Sequence, residues 1–310
     1  MNIPLVSIAL CTYNGERYLV EQLDSIINQT YTNIEIIVVD DGSSDGTLDI
    51  LQSYAEKYPK FKVYKNKVNL GYIKNFEKAI SLCTGDCIAL SDQDDIWELN
   101  KIDIMVDNIG DHLLLYHDST FISENGQTMN RKMSDIREFY SGNDSRIFLL
   151  ENCVSGHAIL FKKELCNFFI SFPENTFHDW WLVYLASNNG KVGFVNNCLV
   201  NYRQHTEANT NILRENRRGI KKQNALLQIK KEYERLSVFE HYPQNNHQSF
   251  KTRFLVLYQK RMESFFSFSL AFFIYRNKKE LLFIQKKSTS SKLNFILKYA
   301  WGYKIKKLLN

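Results

Sequence analysis

Four short strand-like segments, separated by segments whose apolar residues recur at helical spacing, fill the first 115 residues and leave few folds open to the chain. Leu5–Leu10, Ile34–Val39, Lys62–Lys65 and Cys87–Leu90 read as strands. Between them, Tyr18–Gln29 carries Leu19, Leu23, Ile26 and Ile27 at helical spacing, and Thr47–Tyr58 and Ile73–Leu82 read as the next helices. This alternation predicts an α/β fold, a mainly parallel sheet flanked by helices. Further strands are expected near Leu113–Tyr116, Ala158–Phe161 and Val192–Val195, and helices near Lys163–Ile170 and Trp180–Ser187, completing the same sheet.

A chain of 310 residues can hold one large α/β domain and a smaller appendage. With 44% hydrophobic and 24% charged residues and only 4 prolines, neither disorder nor a collagen-like class is supported. The 6 cysteines include no C-x-x-C pair, which argues against a zinc ribbon or thioredoxin-like site and for small buried hydrophobes in a reducing compartment. Met1 to Leu10 shows neither a basic n-region nor a long apolar h-region, so the expectation is a cytoplasmic protein without a signal peptide.

Charge divides the chain at residue 210. Residues 211–310 carry 22 Lys and Arg against 6 Asp and Glu, whereas the remainder carries 17 against 28. Residues 1–210 are therefore expected to form the α/β domain and 211–310 a basic, aromatic, mainly helical region, with Ile220–Val238 and Thr252–Tyr275 as helices. Such asymmetry points to nucleic acid or an anionic membrane surface as partner of the tail. The apolar stretch Phe265–Tyr275 is shorter than the roughly 20 residues that span a bilayer.

Polar residues gather where the strands should end, the edge at which open α/β sheets bind ligands. After the first strand, Thr12-Tyr13-Asn14-Gly15 offers hydrogen bonds, a ring able to stack on a nucleobase or merely to cap the sheet edge, and a flexible turn. After the second, Asp40 and Asp41 suit the imide N–H of a pyrimidine, while Ser43 to Thr47 read as a capped turn. Asn69-Leu70-Gly71 opens a helix with Lys74 within reach of a diphosphate, although Asn69 serves equally as a cap. Ser91-Asp92-Gln93-Asp94-Asp95-Ile96-Trp97 places three carboxylates within four residues, which repel unless a cation compensates them. Oxygen ligands of this kind suit Mg²⁺ or Mn²⁺.

Together these pieces, with Glu21-Gln22-Leu23, Phe177-His178-Asp179-Trp180-Trp181 and Tyr202-Arg203-Gln204-His205, resemble the family-two glycosyltransferases of the GT-A fold, over about residues 4–205. They look particularly like the rhamnosyltransferase-type branch. The resemblance implies a Rossmann-like GT-A domain with a helical C-terminal extension, and an inverting, metal-dependent transfer from a nucleotide-sugar to a lipid-linked or polymeric saccharide acceptor in bacterial surface polysaccharide synthesis. The donor expected first is dTDP-rhamnose; a UDP-linked glucose, galactose or GlcNAc is the alternative. It further implies that Tyr13 stacks on the base, that Thr12, Asn14, Asp40, Asp41, Asn69, Lys74, Asp92 and Arg203 line the nucleotide, and that Asp94 and His205 hold Mn²⁺ or Mg²⁺. Asp179 is the implied general base, itself a sound helix cap, and His157 and Trp180 face the acceptor, with core packing as their plainer role. The basic tail then reads as a peripheral contact with the inner face of the cell membrane. Nucleic-acid binding is not expected, because the acidic strand ends would repel phosphates.

Overall fold

The computed structural model describes residues 3–206, 213 and 225–308. Strands β1 (Val6–Thr12), β2 (Ile34–Asp40), β3 (Phe61–Lys65) and β4 (Cys87–Ser91) lie parallel in the order β3-β2-β1-β4. Helices α1 (Glu16–Ile27), α2 (Thr47–Lys57) and α3 (Tyr72–Leu82) make the crossovers. Every residue of β1, β2 and β4 is buried, as in parallel strands covered on both faces.

The sheet continues β4-β8-β6-β9-β5, built from β5 (Ile96–Trp97), β6 (His112–Ile122), β7 (Thr128–Lys132), β8 (Ile159–Lys162) and β9 (Lys191–Arg203). β8 runs antiparallel between β4 and β6, β6 and β9 are parallel, and β7 hangs on β6. Helices α4 (Lys101–Ile109) and α5 (His178–Asn189) complete this part. The short β5 and the hairpin strand β7 escape the sequence pattern, since two residues show no periodicity and β7 is largely exposed. The helix expected over Lys163–Ile170 is a 3₁₀ segment, Lys163–Phe168.

Two units separate by contact density. One holds the described residues up to Asp135, Tyr140–Gly142 and Val154 onward to 206; the other holds Ile136–Phe139, Asn143–Cys153, 213 and 225–308. The second unit thus takes two short segments from before residue 210. Its helices are α6 (Ala225–Glu240), α7 (Gln248–Glu263), α8 (Phe268–Arg276), α9 (Lys278–Leu281), α10 (Thr289–Leu297) and α11 (Tyr303–Leu308). The helix expected over Thr252–Tyr275 is broken between α7 and α8. There Ser267 N–H donates to the Ala300 carbonyl at 2.8 Å and Gly302 N–H to that of Phe265 at 2.8 Å, so strand-like pairing replaces the helical bonds. The part of the Ile220–Val238 expectation before Ala225 lies outside the described residues. Among the described residues no helix is long and apolar enough to cross a membrane.

One buried acid within β2 carries a pH signature. Burial raises the Glu35 pKa, but hydrogen bonds from Ser7 Oγ (2.6 Å), the Thr84 amide and hydroxyl (2.7 Å each) and Lys62 Nζ (3.2 Å) outweigh it and hold the carboxyl at about 2. A depressed folded-state pKa gives stability present above the unfolded value and lost as pH falls through the folded one. Glu35 is therefore expected to contribute about 3 kcal/mol above pH ~4.5, fading towards pH ~2. Urea titrations at pH 7 and pH 3 should show Glu35→Gln destabilising at the first far more than at the second.

Candidate active site

Strand register brings the polar turns together. Thr12 pairs with Asp40 and Leu10 with Ser91, so the segments after β1, β2 and β4 open on one edge of the sheet. Some of their side chains are consumed in building the turns. Asp40, fully buried, accepts hydrogen bonds from Thr12 Oγ1 (3.0 Å) and from the amides of Gly42 (3.1 Å) and Ser43 (2.9 Å). Its carboxylate is saturated, which corrects the expectation that Asp40 and Thr12 meet a nucleotide. Asp41 accepts from Asn66 Nδ2 (2.7 Å) and the amides of Leu70 (2.8 Å) and Gly71 (2.9 Å), tying β2 to the start of α3. Asn69 Oδ1 also receives the Gly71 amide at 3.0 Å, and Gly71, at φ 80°, adopts a backbone that a side chain would strain. Asn14, itself at φ 48°, accepts the Ser44 amide at 2.9 Å.

Tyr13 remains half exposed, with 49% of its surface open to solvent. Gln93 clamps its backbone, accepting from Tyr13 N–H at 2.8 Å and donating to the Tyr13 carbonyl at 3.1 Å. The acidic turn thus carries the aromatic turn. Lys74 pairs with Glu77 (2.7 Å) and the Ser171 hydroxyl (2.6 Å), so the free ammonium expected for a diphosphate is already partnered.

The acidic turn is organised around β9. Arg203, 2% exposed, donates its amide to Asp95 Oδ1 (2.9 Å), its Nε to the Asp94 carbonyl (2.8 Å), Nη1 to the Glu124 carbonyl (2.9 Å) and Nη2 to Glu21, with its guanidinium 4.7 Å from the Tyr18 ring centre. The expected phosphate contact is therefore corrected: Arg203 is a buried cross-tie that holds the turn. Two residues on, His205 Nε2 lies 2.8 Å from Asp94 Oδ2.

His157 is 1% exposed and sits beneath the same turn, not on an acceptor face as expected. Its Nε2 meets Ser119 Oγ at 2.8 Å, and its Nδ1 lies 3.4 Å from Asp95 Oδ2 and 3.9 Å from Asp92 Oδ2. Burial, with the Lys101 charge nearby, pushes the imidazole down to about 3, so it stays neutral. Lys101 is itself buried, donating to the His157 carbonyl at 2.6 Å with its Nζ 3.2 Å above the Trp97 ring. Burial and the carboxylates of Asp94 and Asp92 drive Asp95 well above the usual carboxylate range, and its Oδ2 has no hydrogen-bond partner. Asp92, with 38% of its side chain exposed, is pushed up to about 7 by its packed surroundings and the fields of Asp94 and Asp179.

These residues fit a hard dication. Two ligands on adjacent corners of a metal with bonds of about 2.1 Å lie about 3 Å apart, close to the Asp94–His205 separation. A second set, Asp92, Asp95 and His157, keeps its ligand atoms within 4.8 Å of one another, and its orphaned Asp95 oxygen lacks the compensation a cation would give.

Asp179 is the second residue of α5, whose cap position is Phe177, so it is not the helix cap expected; its carboxyl accepts the Trp180 amide at 2.5 Å and that of Gly156. Burial outweighs those bonds and raises its carboxyl to about 7. The neighbouring His178 stacks on Phe76 with ring centres 4.0 Å apart, while Trp181 is core and Trp180 stays half buried. Sequence reasoning missed Lys101, Ser119 and Gln93 as parts of this assembly; their residue types carry no local signal.

A curled sheet, parallel through β3-β2-β1-β4, with helices on its faces and acids at the ends of β2 and β4, defines a GT-A fold. The family model "Glycosyl transferase family 2" matches residues 7–169, and the chain belongs to that family. An uncharacterized glycosyltransferase of Haemophilus influenzae is 43% identical over 105 residues, 34% of this chain and 32% of the relative. The chain spans between 16% and 40% of the length of the first three curated relatives it matches. Among solved structures, S. aureus TarS 1-349 in complex with UDP-GlcNAc superposes with a TM-score of 0.62 at 20% identity, covering 82% of this chain and 71% of that one. Mannosyltransferase PcManGT from Pyrobaculum calidifontis, in complex with GDP-Man and Mn²⁺, gives 0.51 at 19%, covering 77% and 64%. These likenesses show the fold.

Proposed function

We propose that the protein is an inverting glycosyltransferase that moves a sugar from a nucleoside diphosphate to a saccharide hydroxyl, in the assembly of a bacterial surface polysaccharide such as O-antigen, capsule or cell-wall polymer. The observation that carries this reading is the pairing of an acidic turn able to hold a dication with Asp179, a carboxyl poised near neutrality at a helix start. Asp94 and His205 would hold Mn²⁺ or Mg²⁺, which would supply compensation for charge that builds on the departing diphosphate. Tyr13 offers its exposed ring to the base, and Asp41, Asn14 and Asn69 shape the floor of that pocket. Asp92 stands towards the ribose and Trp180 towards the acceptor.

Asp179 accepts the proton of the acceptor hydroxyl as that oxygen attacks the anomeric carbon from the side opposite the leaving group, so configuration inverts. Buried Arg203 and the half-buried Gln93 keep the acidic and aromatic turns in register during this step. The donor is dTDP-rhamnose by resemblance; UDP-GlcNAc gains support from the TarS complex. The acceptor is a lipid-linked saccharide presented at the inner face of the cell membrane.

A panel of dTDP-rhamnose, UDP-glucose, UDP-galactose, UDP-GlcNAc and GDP-mannose, with Mn²⁺ or EDTA, tests the reading. One donor is expected to bind and undergo slow hydrolysis only with metal. Binding of none, in either condition, would remove the transferase reading.

A further inference from the structure

The second unit exposes aromatic residues that its own core leaves uncovered. On α8, Phe268, Phe272 and Tyr275 stand at i, i+4 and i+7, one helical face, and are 69%, 62% and 46% exposed, while Leu270 and Ile274 on the opposite face are fully buried. Phe265 and Phe266 (49% each) and Trp301 (45%) extend the surface; Phe266 stacks on Phe268 with ring centres 5.7 Å apart and lies 5.6 Å from Trp301. A contiguous apolar patch of this kind marks an interaction site.

Its setting is strongly basic. Residues 264–308 contain ten Lys or Arg and one acid, Glu280. A groove of about 810 Å³ runs between α7 and α8, lined by Arg253 and Arg276, the hydroxyl residues Ser249 and Ser269, and the rings of Phe250 and Phe272. Both arginines are exposed, and neither has an ion-pair partner among the described residues. Their guanidinium carbons stand 5.7 Å and 6.0 Å from the Phe273 and Phe272 ring centres. Aromatic rings flanked by unpaired cations suit the boundary between acyl chains and anionic headgroups.

We propose that the α8 face docks this protein on an anionic lipid bilayer, with Phe268 and Phe272 entering the headgroup boundary and Arg253 and Arg276 holding lipid phosphate in the groove. A second copy of the chain is the poorer occupant, because two such surfaces brought face to face would repel. The inference rests on the reading that the acceptor is presented at a membrane, while the donor panel tests the transferase chemistry separately.

Flotation of the full-length protein with vesicles of phosphatidylcholine plus phosphatidylglycerol, and of phosphatidylcholine alone, tests it. Expected is partition into the anionic vesicles only, reversed by high salt. Arg253→Gln/Arg276→Gln should weaken it about 30-fold, two charges at the usual contribution per basic residue. Phe268→Ser/Phe272→Ser should weaken it at least about tenfold. All four residues are exposed, so melting temperature and donor binding should not change. Equal partition into neutral vesicles, no partition into anionic ones, or wild-type partition by both double variants would overturn the proposal. So would a concentration-dependent dimer that the phenylalanine variant abolishes, which assigns the face to a second copy. Displacement by inorganic phosphate but not by chloride of equal ionic strength would assign the groove to free phosphate and likewise overturn it.

Discussion

Asp94→Asn is expected to weaken Mn²⁺ binding at least about 100-fold and to abolish metal-dependent donor turnover, while leaving the melting temperature nearly unchanged. The substitution keeps the shape of the side chain and the Asp94 backbone carbonyl that Arg203 Nε engages at 2.8 Å. An amide oxygen can still face His205 Nε2, but it lacks the charge that holds a hard dication. Electron paramagnetic resonance of free Mn²⁺ reads the affinity directly and needs no substrate. The structure contains a rival donor set in Asp92, Asp95 and His157, and the same titration discriminates between them. Wild-type Mn²⁺ affinity in Asp94→Asn, together with its loss in His157→Gln, would move the metal one layer inward, beneath the turn.

Asp179→Asn should lower turnover about 10²- to 10⁴-fold and leave donor affinity within a few-fold of wild type. Asparagine retains an oxygen for the Trp180 amide, so the start of α5 is preserved. The same residue sets the expected pH dependence. Burial raises the Asp179 carboxyl to about 7, so the proton-accepting form predominates above that pH and falls tenfold for each unit below it. In wild type kcat/KM is expected to decline on the acid side of pH ~7, and the residual activity of Asp179→Asn should lose that limb. Asp92 also titrates near 7 in the metal-free protein. Profiles should therefore be recorded at saturating Mn²⁺, whose charge favours the ionised form of Asp92. An unchanged acid limb in Asp179→Asn would assign the base elsewhere.

The two acidic turns show how the roles of like residues diverge. Asp40-Asp41 and Asp92 to Asp95 look alike in sequence, each a cluster of acids after an apolar strand. In the folded chain Asp40 and Asp41 are closed off by amides of their own and neighbouring turns, whereas Asp92 and Asp94 keep access to solvent and Asp95 keeps an unpaired oxygen. One cluster stabilises the scaffold; the other is undercompensated, which drives Asp92 and Asp95 towards their protonated forms. That imbalance marks the second as the place for a cation.

From its own letters the chain determines the α/β alternation, the position of the first four strands and the presence of acids at the ends of the second and fourth, because these follow from periodicities of two and 3.6 residues and from neighbours in sequence. That Asp94 and His205 belong to one site is implied by the family resemblance, and the structure brings them to 2.8 Å across 111 positions. Tertiary structure alone decides which polar groups are paired and which are free. Arg203 reaches Asp95 across 108 positions and Glu21 across 182, and Lys101 reaches the His157 carbonyl across 56. Such partners are fixed by the sheet order, in which β8 and β9 close over β4 and β5. A surface histidine and a phosphate-binding arginine are indistinguishable by residue type from a buried imidazole and a structural cross-tie. Only burial, which removes water as the competing partner, makes them different.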